Sequence, residues 1–402
     1  MADKKNPPPL KGVRVLDISR ILAGPWCTMI LGDMGADVIK LEPPGAGDDT
    51  RNWGKRLAGL ESTYYLAANR NKRGIAVDLA KPEGQAVARA PAQKSDVLVE
   101  NFKLGGLDKF GLGYAALSQI NPRLIYCSIS GYGRNSPTAA RAGYDVVIQG
   151  ESGMMSVNGA PGGPPVRMGV AVADLTAGMY AAQAVLAALY ARTNTGRGQH
   201  IDLALIDCAM AILANNASSA LNTGIAPLRY GNAHPDIAPY QTFAALDGEV
   251  VVAVGNDAQF RRFCDMLGLG ALADDPRFAG NAARSKNRDA LTAALAKPIA
   301  GKPRKHWIAA MLKSGVPGGE VRDLVEALGS PEARARRMTR EVPHPTAGAV
   351  KLMASPLNFS DTKVREPIAP PTLGQHTDEV LKEVLGMAAA EIKMLRDKGA
   401  VA

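Results

Sequence analysis

Val13-Arg14-Val15-Leu16-Asp17-Ile18, then Ala23-Gly24-Pro25, then Trp26-Cys27-Thr28-Met29-Ile30-Leu31-Gly32-Asp33-Met34-Gly35, then Asp37-Val38-Ile39-Lys40-Leu41-Glu42: this stretch decides the fold. The first segment is short, apolar and partly β-branched, which predicts a strand. Gly24-Pro25 breaks it, and proline is well tolerated in the first turn of the helix that follows. Gly35 stops that helix. The next apolar run is a second strand, ended by Pro43-Pro44-Gly45. A strand–helix–strand unit of about 30 residues is the start of a parallel sheet.

The unit recurs. Gly74 to Leu79 reads as a strand, Pro82 to Gln93 as a helix, Asp96 to Asn101 and Leu124 to Ser130 as further strands. The expected fold class is therefore α/β, an open, Rossmann-like, doubly wound sheet. Such sheets bind ligands beyond the carboxyl ends of their strands. Arg20 to Pro25, Glu42 to Arg51 and Asn101 to Lys103 fall there. The dinucleotide fingerprint is missing, because Arg20-Ile21-Leu22-Ala23-Gly24-Pro25 stands where G-x-G-x-x-G would be, and there is no P-loop. Nicotinamide and nucleoside-triphosphate chemistry lose their sequence support.

Past Thr223 the pattern changes. Tyr240 to Phe243 and Glu249 to Val254, with Asp247-Gly248 between, predict an antiparallel hairpin followed by helices near 258–267, 288–295 and 305–312. The expected organisation is a large domain over 1–227, a small α+β domain over 228–328, and a segment over 329–402 that returns to the large domain. The chain's 402 residues suffice for two domains. No apolar run reaches the length of a membrane span, and the first nine residues have no signal-like apolar region. Cytoplasm is the expected compartment. The four cysteines and five histidines are scattered without metal-ligand spacing, so no metal is expected. The net charge of +9 comes with only 5% aromatics and no nucleic-acid motif. An anionic small molecule accounts for the sign better than nucleic acid.

Asp174 is the sharpest single feature. It follows Gly169-Val170-Ala171-Val172-Ala173, which reads as a buried strand, and opens the Ala- and Leu-rich run to Tyr190, which reads as a buried helix. A helix N-terminus carries free N–H groups and positive dipole charge, which would keep the carboxylate ionised in a dry place. Locally the residue reads first as a helix cap and second as a nucleophile.

Several segments together resemble the class III CoA-transferases, the CaiB/BaiF family. They include Leu22-Ala23-Gly24-Pro25, Gly32 to Glu42, Asn69-Arg70-Asn71-Lys72-Arg73, Glu100-Asn101-Phe102, Gly111-Leu112-Gly113-Tyr114, Gly143-Tyr144-Asp145, Thr195 to Gln199 and Leu373-Gly374-Gln375-His376-Thr377. The stretches Pro44 to Gly54 and Glu61 to Leu66 are most similar to the dicarboxylate subgroup, in which CoA passes from succinyl-CoA to an acid such as glutarate. The resemblance implies an interlocked homodimer, with coenzyme A or acyl-CoA as substrate and no tightly bound cofactor. It makes Asp174 the nucleophile that carries the acyl group as an anhydride and then CoA as a thioester. It implies CoA contacts at Leu22, Ala23, Asn71, Asn101 and Phe102. A polyanionic nucleotide adds Lys72, Arg73, Lys103, Lys109 and Arg141 as candidate cations. Gly255 and Asn256 are candidates for an oxyanion loop, Tyr144 for a substrate or oxyanion contact, and Arg51, Arg73 and Arg167 for an acceptor carboxylate. The family also holds 2-methylacyl-CoA racemases and CoA-ester dehydratase-type members, the alternative reading. Racemases carry a histidine where this chain has Tyr144, and a tyrosine is a poor base near neutral pH.

Overall fold

The structure, a computed structural model, describes residues 6–58 and 61–402; residues 1–5 of the proline-rich start lie outside the described residues. Six strands make the main sheet: β1 (Arg14–Asp17), β2 (Asp37–Glu42), β3 (Lys72–Ala76), β4 (Val97–Glu100), β5 (Ile125–Ser130) and β6 (His200–Ala204). All are parallel, in the order β3-β2-β1-β4-β5-β6. The chain builds outward from β1 to one side, then returns and builds outward to the other. The order therefore reverses between β1 and β4, and a crevice opens beyond their carboxyl ends.

The strands bury apolar residues on both faces, as a parallel sheet covered on both sides requires, with Asp17, Lys40, Glu42 and Lys72 as buried charges among them. On one face Val15, Val99 and Cys127 pack against helix α1 (Ala23–Asp33) and helix α3 (Val172–Thr195). On the other, Leu16, Ile39 and Leu98 meet α2 (Pro82–Gln93) and the C-terminal helices α4 (Thr377–Glu383) and α5 (Ala389–Asp397). The last residues are stitched in by an antiparallel bridge from Val77 to Val401 and by Asp78 N donating to Ala400 O at 2.9 Å. The helices α1 and α3 approach closely at Gly178. A Cβ there would lie 2.6 Å from the carbonyl oxygen of Ala23, so only glycine fits.

The chain forms two compact units. The larger takes in 1–154, 168–217 and 331–402; the smaller takes in 155–167 and 218–330. The smaller thus begins about ten residues earlier than the sequence suggested and claims a separate segment as well. Its antiparallel strands Tyr240–Ala245, Gly248–Ala253 and Gly318–Glu320 pack on helices Asp257–Met266, Arg288–Ala300 and Arg304–Ser314, around Phe243, Val252, Phe260 and Trp307.

One reading needs correction. Gly169 to Ala173 forms no strand; Val172 and Ala173 already belong to the first turn of α3, and Asp174 is its third residue. A short β-branched run cannot be told from the start of a buried helix by periodicity alone.

Candidate active site

A cavity of about 200 Å³ occupies the crevice where the strand order reverses. One wall is the loop from β1 into α1, represented by Ile21, Leu22 and Ala23. Asn101, just past β4, ties that loop down: it accepts from Arg20 N at 2.8 Å and donates to Arg20 O at 2.7 Å. The loop 139–145 closes another side. It crosses the end of β5 at a glycine pair, where a Cβ on Gly131 would lie 2.5 Å from the Cα of Gly143.

Asp174 lies in this cavity at the N-terminus of α3. It does not cap its own helix. That role falls to Asp145, which accepts from Ala173 N at 2.8 Å and from Asp174 N at 3.4 Å. Gln149 fixes Asp145 by donating to its second oxygen at 2.7 Å, while its own amide oxygen accepts from Met168 N at 2.9 Å. Among the described residues no donor reaches the Asp174 carboxylate. The expectation that the helix end keeps Asp174 ionised is therefore corrected. Burial first, and the Asp145 charge second, push its pKa up to about 7. The helix N–H groups that would favour ionisation are spent on Asp145.

The structure brings Leu22, Ala23, Asn101, Phe102, Lys103, Arg141 and Tyr144 to the same cavity. Phe102 is held by its N–H, which donates to Glu100 at 2.8 Å, and the Arg20 guanidinium lies over its ring at 5.3 Å. Its side chain also lines a second, apolar cavity of about 250 Å³ with Ile18, Pro43, Leu79 and Phe110. Arg141 pairs with Glu151 at 2.6 Å and covers the Tyr132 ring. Tyr144 is exposed at the rim.

Other candidates are engaged elsewhere. Lys72 is wholly buried; its ammonium meets Asp17 at 3.0 Å and Asn69 at 2.8 Å. Arg73 is shared by Asp37, Glu379 and Glu383 at the opposite, amino end of the sheet. Asn71 joins Asp33 to Ile368 N. Arg51 grips Glu42 with two bonds of 2.8 Å and lies over the Tyr65 ring. Lys109 lies over the Phe110 ring outside the Asp174 cavity. Asn256 caps the helix Asp257–Met266, and Gly255 N donates to Gln259, so both serve a local turn of the smaller unit. Arg167 is exposed in that unit's 155–167 segment.

Tyr64 is a residue the sequence did not single out. Burial, then the charges of Asp174, Asp145 and Asp48, raise the pKa of its hydroxyl, which places it in the field of the Asp174 carboxylate. Trp53 packs edge-on against it at 5.5 Å. Among the described residues no group of three or more His, Cys, Asp or Glu side chains is placed to hold a metal ion.

A family model described as CoA-transferase family III matches residues 10–377. A succinate–glutarate CoA-transferase of Agrobacterium fabrum (strain C58) is 43% identical over 391 residues, covering 96% of this chain and 98% of that protein. A human succinyl-CoA:glutarate CoA-transferase is 42% identical over 400 residues, covering 100% of this chain and 91% of the relative. The crystal structure of a CaiB/BaiF family protein from Brucella suis superposes with a TM-score of 0.87 at 44% identity, over 94% of this chain and 100% of that one. The chain belongs to CoA-transferase family III. It is an enzyme of that type, passing CoA from an acyl-CoA donor to a free carboxylic acid.

Proposed function

We propose that the enzyme moves CoA from succinyl-CoA to a dicarboxylic acid, glutarate first, with Asp174 as the covalent carrier. The substrates are those in the names of the relatives that match along nearly the whole chain. The observation that carries the site assignment is the Asp174 carboxylate itself: part-buried, without a donor among the described residues, and facing a cavity at the sheet's switch point.

The ionised Asp174 oxygen attacks the thioester carbonyl of succinyl-CoA. The carbon–sulfur bond breaks, CoA thiolate leaves, and an aspartyl–succinyl anhydride remains. The thiolate then attacks the aspartyl carbonyl and releases succinate, leaving an aspartyl-CoA thioester. A glutarate carboxylate takes succinate's place and the steps reverse, restoring Asp174. Splitting the exchange this way replaces one hard step by easier ones. Burial helps twice: it strips water from the attacking carboxylate and keeps water from the anhydride.

CoA lies along Leu22, Ala23 and Asn101, with Phe102 at the junction of the two cavities and the apolar one receiving the nucleotide's ring. Lys103 and Arg141 face the phosphates. We assign Asn71, Lys72 and Arg73 no contact with CoA, since the fold uses their polar groups. We also propose a cytoplasmic homodimer. The four cysteines are free and buried, which suits a reducing compartment. The long helix α3 leaves Met179, Tyr180 and Tyr190 uncovered on an apolar surface that a second copy would bury. Sedimentation equilibrium at twice the chain mass supports the dimer; a single-chain mass at micromolar concentration overturns it.

The test of function is CoA exchange. Purified protein is incubated with succinyl-CoA and a panel of acids (glutarate, 3-hydroxy-3-methylglutarate, oxalate, malate, itaconate), and products are read by mass spectrometry. Glutaryl-CoA forming with the natural chain and not with Asp174→Ala is the expected result. Loss of stereochemistry in a 2-methylacyl-CoA without exchange would make the protein a racemase instead.

A further inference from the structure

The loop Ser19–Leu22 that walls the Asp174 cavity is held by ions that never touch the cavity. Ser19 O accepts from the Lys40 ammonium at 3.0 Å, and Ile21 N donates to the Asp48 carboxylate at 3.2 and 3.3 Å. Lys40 and Asp48 form an ion pair at 3.0 Å with no exposed side-chain surface on either partner. Asp48 is fixed further by Thr50, whose N–H and hydroxyl donate to it at 3.0 and 2.8 Å. Its own N–H donates to Glu42 at 2.9 Å, and Glu42 is clamped by Arg51. A chain of buried charge thus runs from β2 to one backbone N–H of the cavity wall.

That N–H belongs to a residue in an unusual state. Ile21 has φ of +71°, in the left-handed region that a β-branched side chain avoids. Such a conformation persists only where the surroundings impose it, and it concentrates at functional sites. Ile21, Leu22 and Ala23 line the cavity with Asp174. A buried ion pair is an inefficient way to gain stability alone, since apolar replacements often do as well. A pair aimed at a strained residue of a cavity wall serves shape.

We propose that Asp48, fixed by Lys40, is a positioning residue for CoA transfer: it holds Ile21 left-handed so that Ile21 to Ala23 stand as the wall facing Asp174. This rests on the assignment of that cavity to CoA. Asp48 acts through the backbone of Ile21 and touches no substrate.

The test is a glycine rescue. Glycine adopts positive φ at no steric cost, so Ile21→Gly removes the need for the strap. The variants are Asp48→Ala, which leaves no acceptor for Ile21 N, Ile21→Gly and the two combined. They are measured for kcat and KM with succinyl-CoA, for the Kd of free CoA by calorimetry, and for Tm. Asp48→Ala is expected to raise KM and Kd tenfold or more, with a smaller loss in kcat. In the Ile21→Gly background the same change is expected to cost less than threefold, while Tm falls by a similar amount in both backgrounds. If Asp48→Ala does not fold, the double change Lys40→Met with Asp48→Ala, which leaves no lone buried ion, is read by the same criteria. Unchanged KM and Kd in a folded variant, or equal losses with and without Ile21→Gly, overturn the proposal. A natural chain that exchanges CoA through Asp174 while this series stays flat overturns the positioning role alone. A natural chain that exchanges nothing but binds CoA still lets the Kd series decide it. No CoA binding at all overturns both readings.

Discussion

Asp17 and Asp174 are both carboxylates of the larger unit, the first fully buried and the second part-buried in its cavity, and the fold treats them in opposite ways. Asp17 accepts from the hydroxyls of Ser19 and Thr28 and meets the Lys72 ammonium at 3.0 Å. Burial alone would raise its pKa, but Lys72, Lys40 and the two hydroxyls win, and it falls to about 2. Among the described residues Asp174 has no cation and no donor. Burial and the neighbouring Asp145 act in the same direction, and its pKa rises to about 7. A buried carboxylate with its charge balanced is a strut. One left unbalanced in a cavity is a reagent, because its charged form is relieved by forming a covalent bond.

The largest expected effect follows from the reagent side. Asp174→Ala removes the only carrier in the proposed route, and exchange should drop at least about a thousandfold, as for other nucleophile deletions. A variant that keeps a tenth of the natural rate would end the comparison.

Stability should respond with opposite signs. Asp17→Asn leaves Lys72 buried without its carboxylate, and should cost about 3 kcal/mol or more. For Asp174 the folded pKa of about 7 lies above the ordinary 3.8. The stability this group contributes is complete below pH 3.8 and is lost as the pH rises through 7. Replacing it with a neutral isostere, Asp174→Asn, should therefore stabilise the protein above pH 7. The ceiling is about 4 kcal/mol, from roughly 1.4 kcal/mol per pKa unit, and partial solvent access lowers it. Thermal melts of both variants at pH 8 and pH 5 check this. The Asp174→Asn gain should shrink at pH 5, and a loss of stability at pH 8 would contradict the unbalanced-charge account.

Much of this contrast was legible in the sequence, unevenly. The strand Asp37–Glu42 and the helix Pro82–Gln93 are where the apolar pattern and Pro82 place them. The hairpin of Tyr240–Ala245 and Gly248–Ala253 is also present where expected, although its turn is Leu246-Asp247, one residue earlier than the sequence suggests. The edge strand His200–Ala204 escaped notice because it is short and alternates His and Asp with apolar residues. The hairpin Thr339–His344 and Gly348–Met353 escaped because Pro343 and several charges mask it. Asp174 could be found from its setting, but not its protonation, which depends on Asp145 folding back from 29 residues upstream. Lys72 and Arg73 look like free cations in sequence. Only the register of β3 shows that one points at Asp17 and the other at Asp37.

That dependence on Asp145 gives a smaller, directional effect. Asp145→Asn keeps an oxygen for Ala173 N and removes the charge that adds to burial in raising Asp174. Activity should fall on acidification with a midpoint near pH 7 in the natural enzyme, since Asp174 must be ionised to attack. In Asp145→Asn that midpoint should move to lower pH, yet stay above 3.8, because burial, the larger cause, remains. The acid limb of kcat/KM decides it. A midpoint that stays or moves upward would show that Asp145 serves only as a cap.

The smallest effect concerns the cations at the cavity mouth. Lys103 is exposed, and Arg141 is already paired with Glu151 at 2.6 Å with half its side chain in solvent. Charges so placed are worth about 1 kcal/mol or less toward a partner. Lys103→Ala and Arg141→Ala should each raise KM for succinyl-CoA by about two- to fivefold, leave kcat unchanged, and lose the difference at high salt, where screening removes it. A loss in kcat would mean that one of them acts at the reacting atoms and not at the phosphates. Asp174 would then have a cation of its own, one that serves it only when CoA is bound.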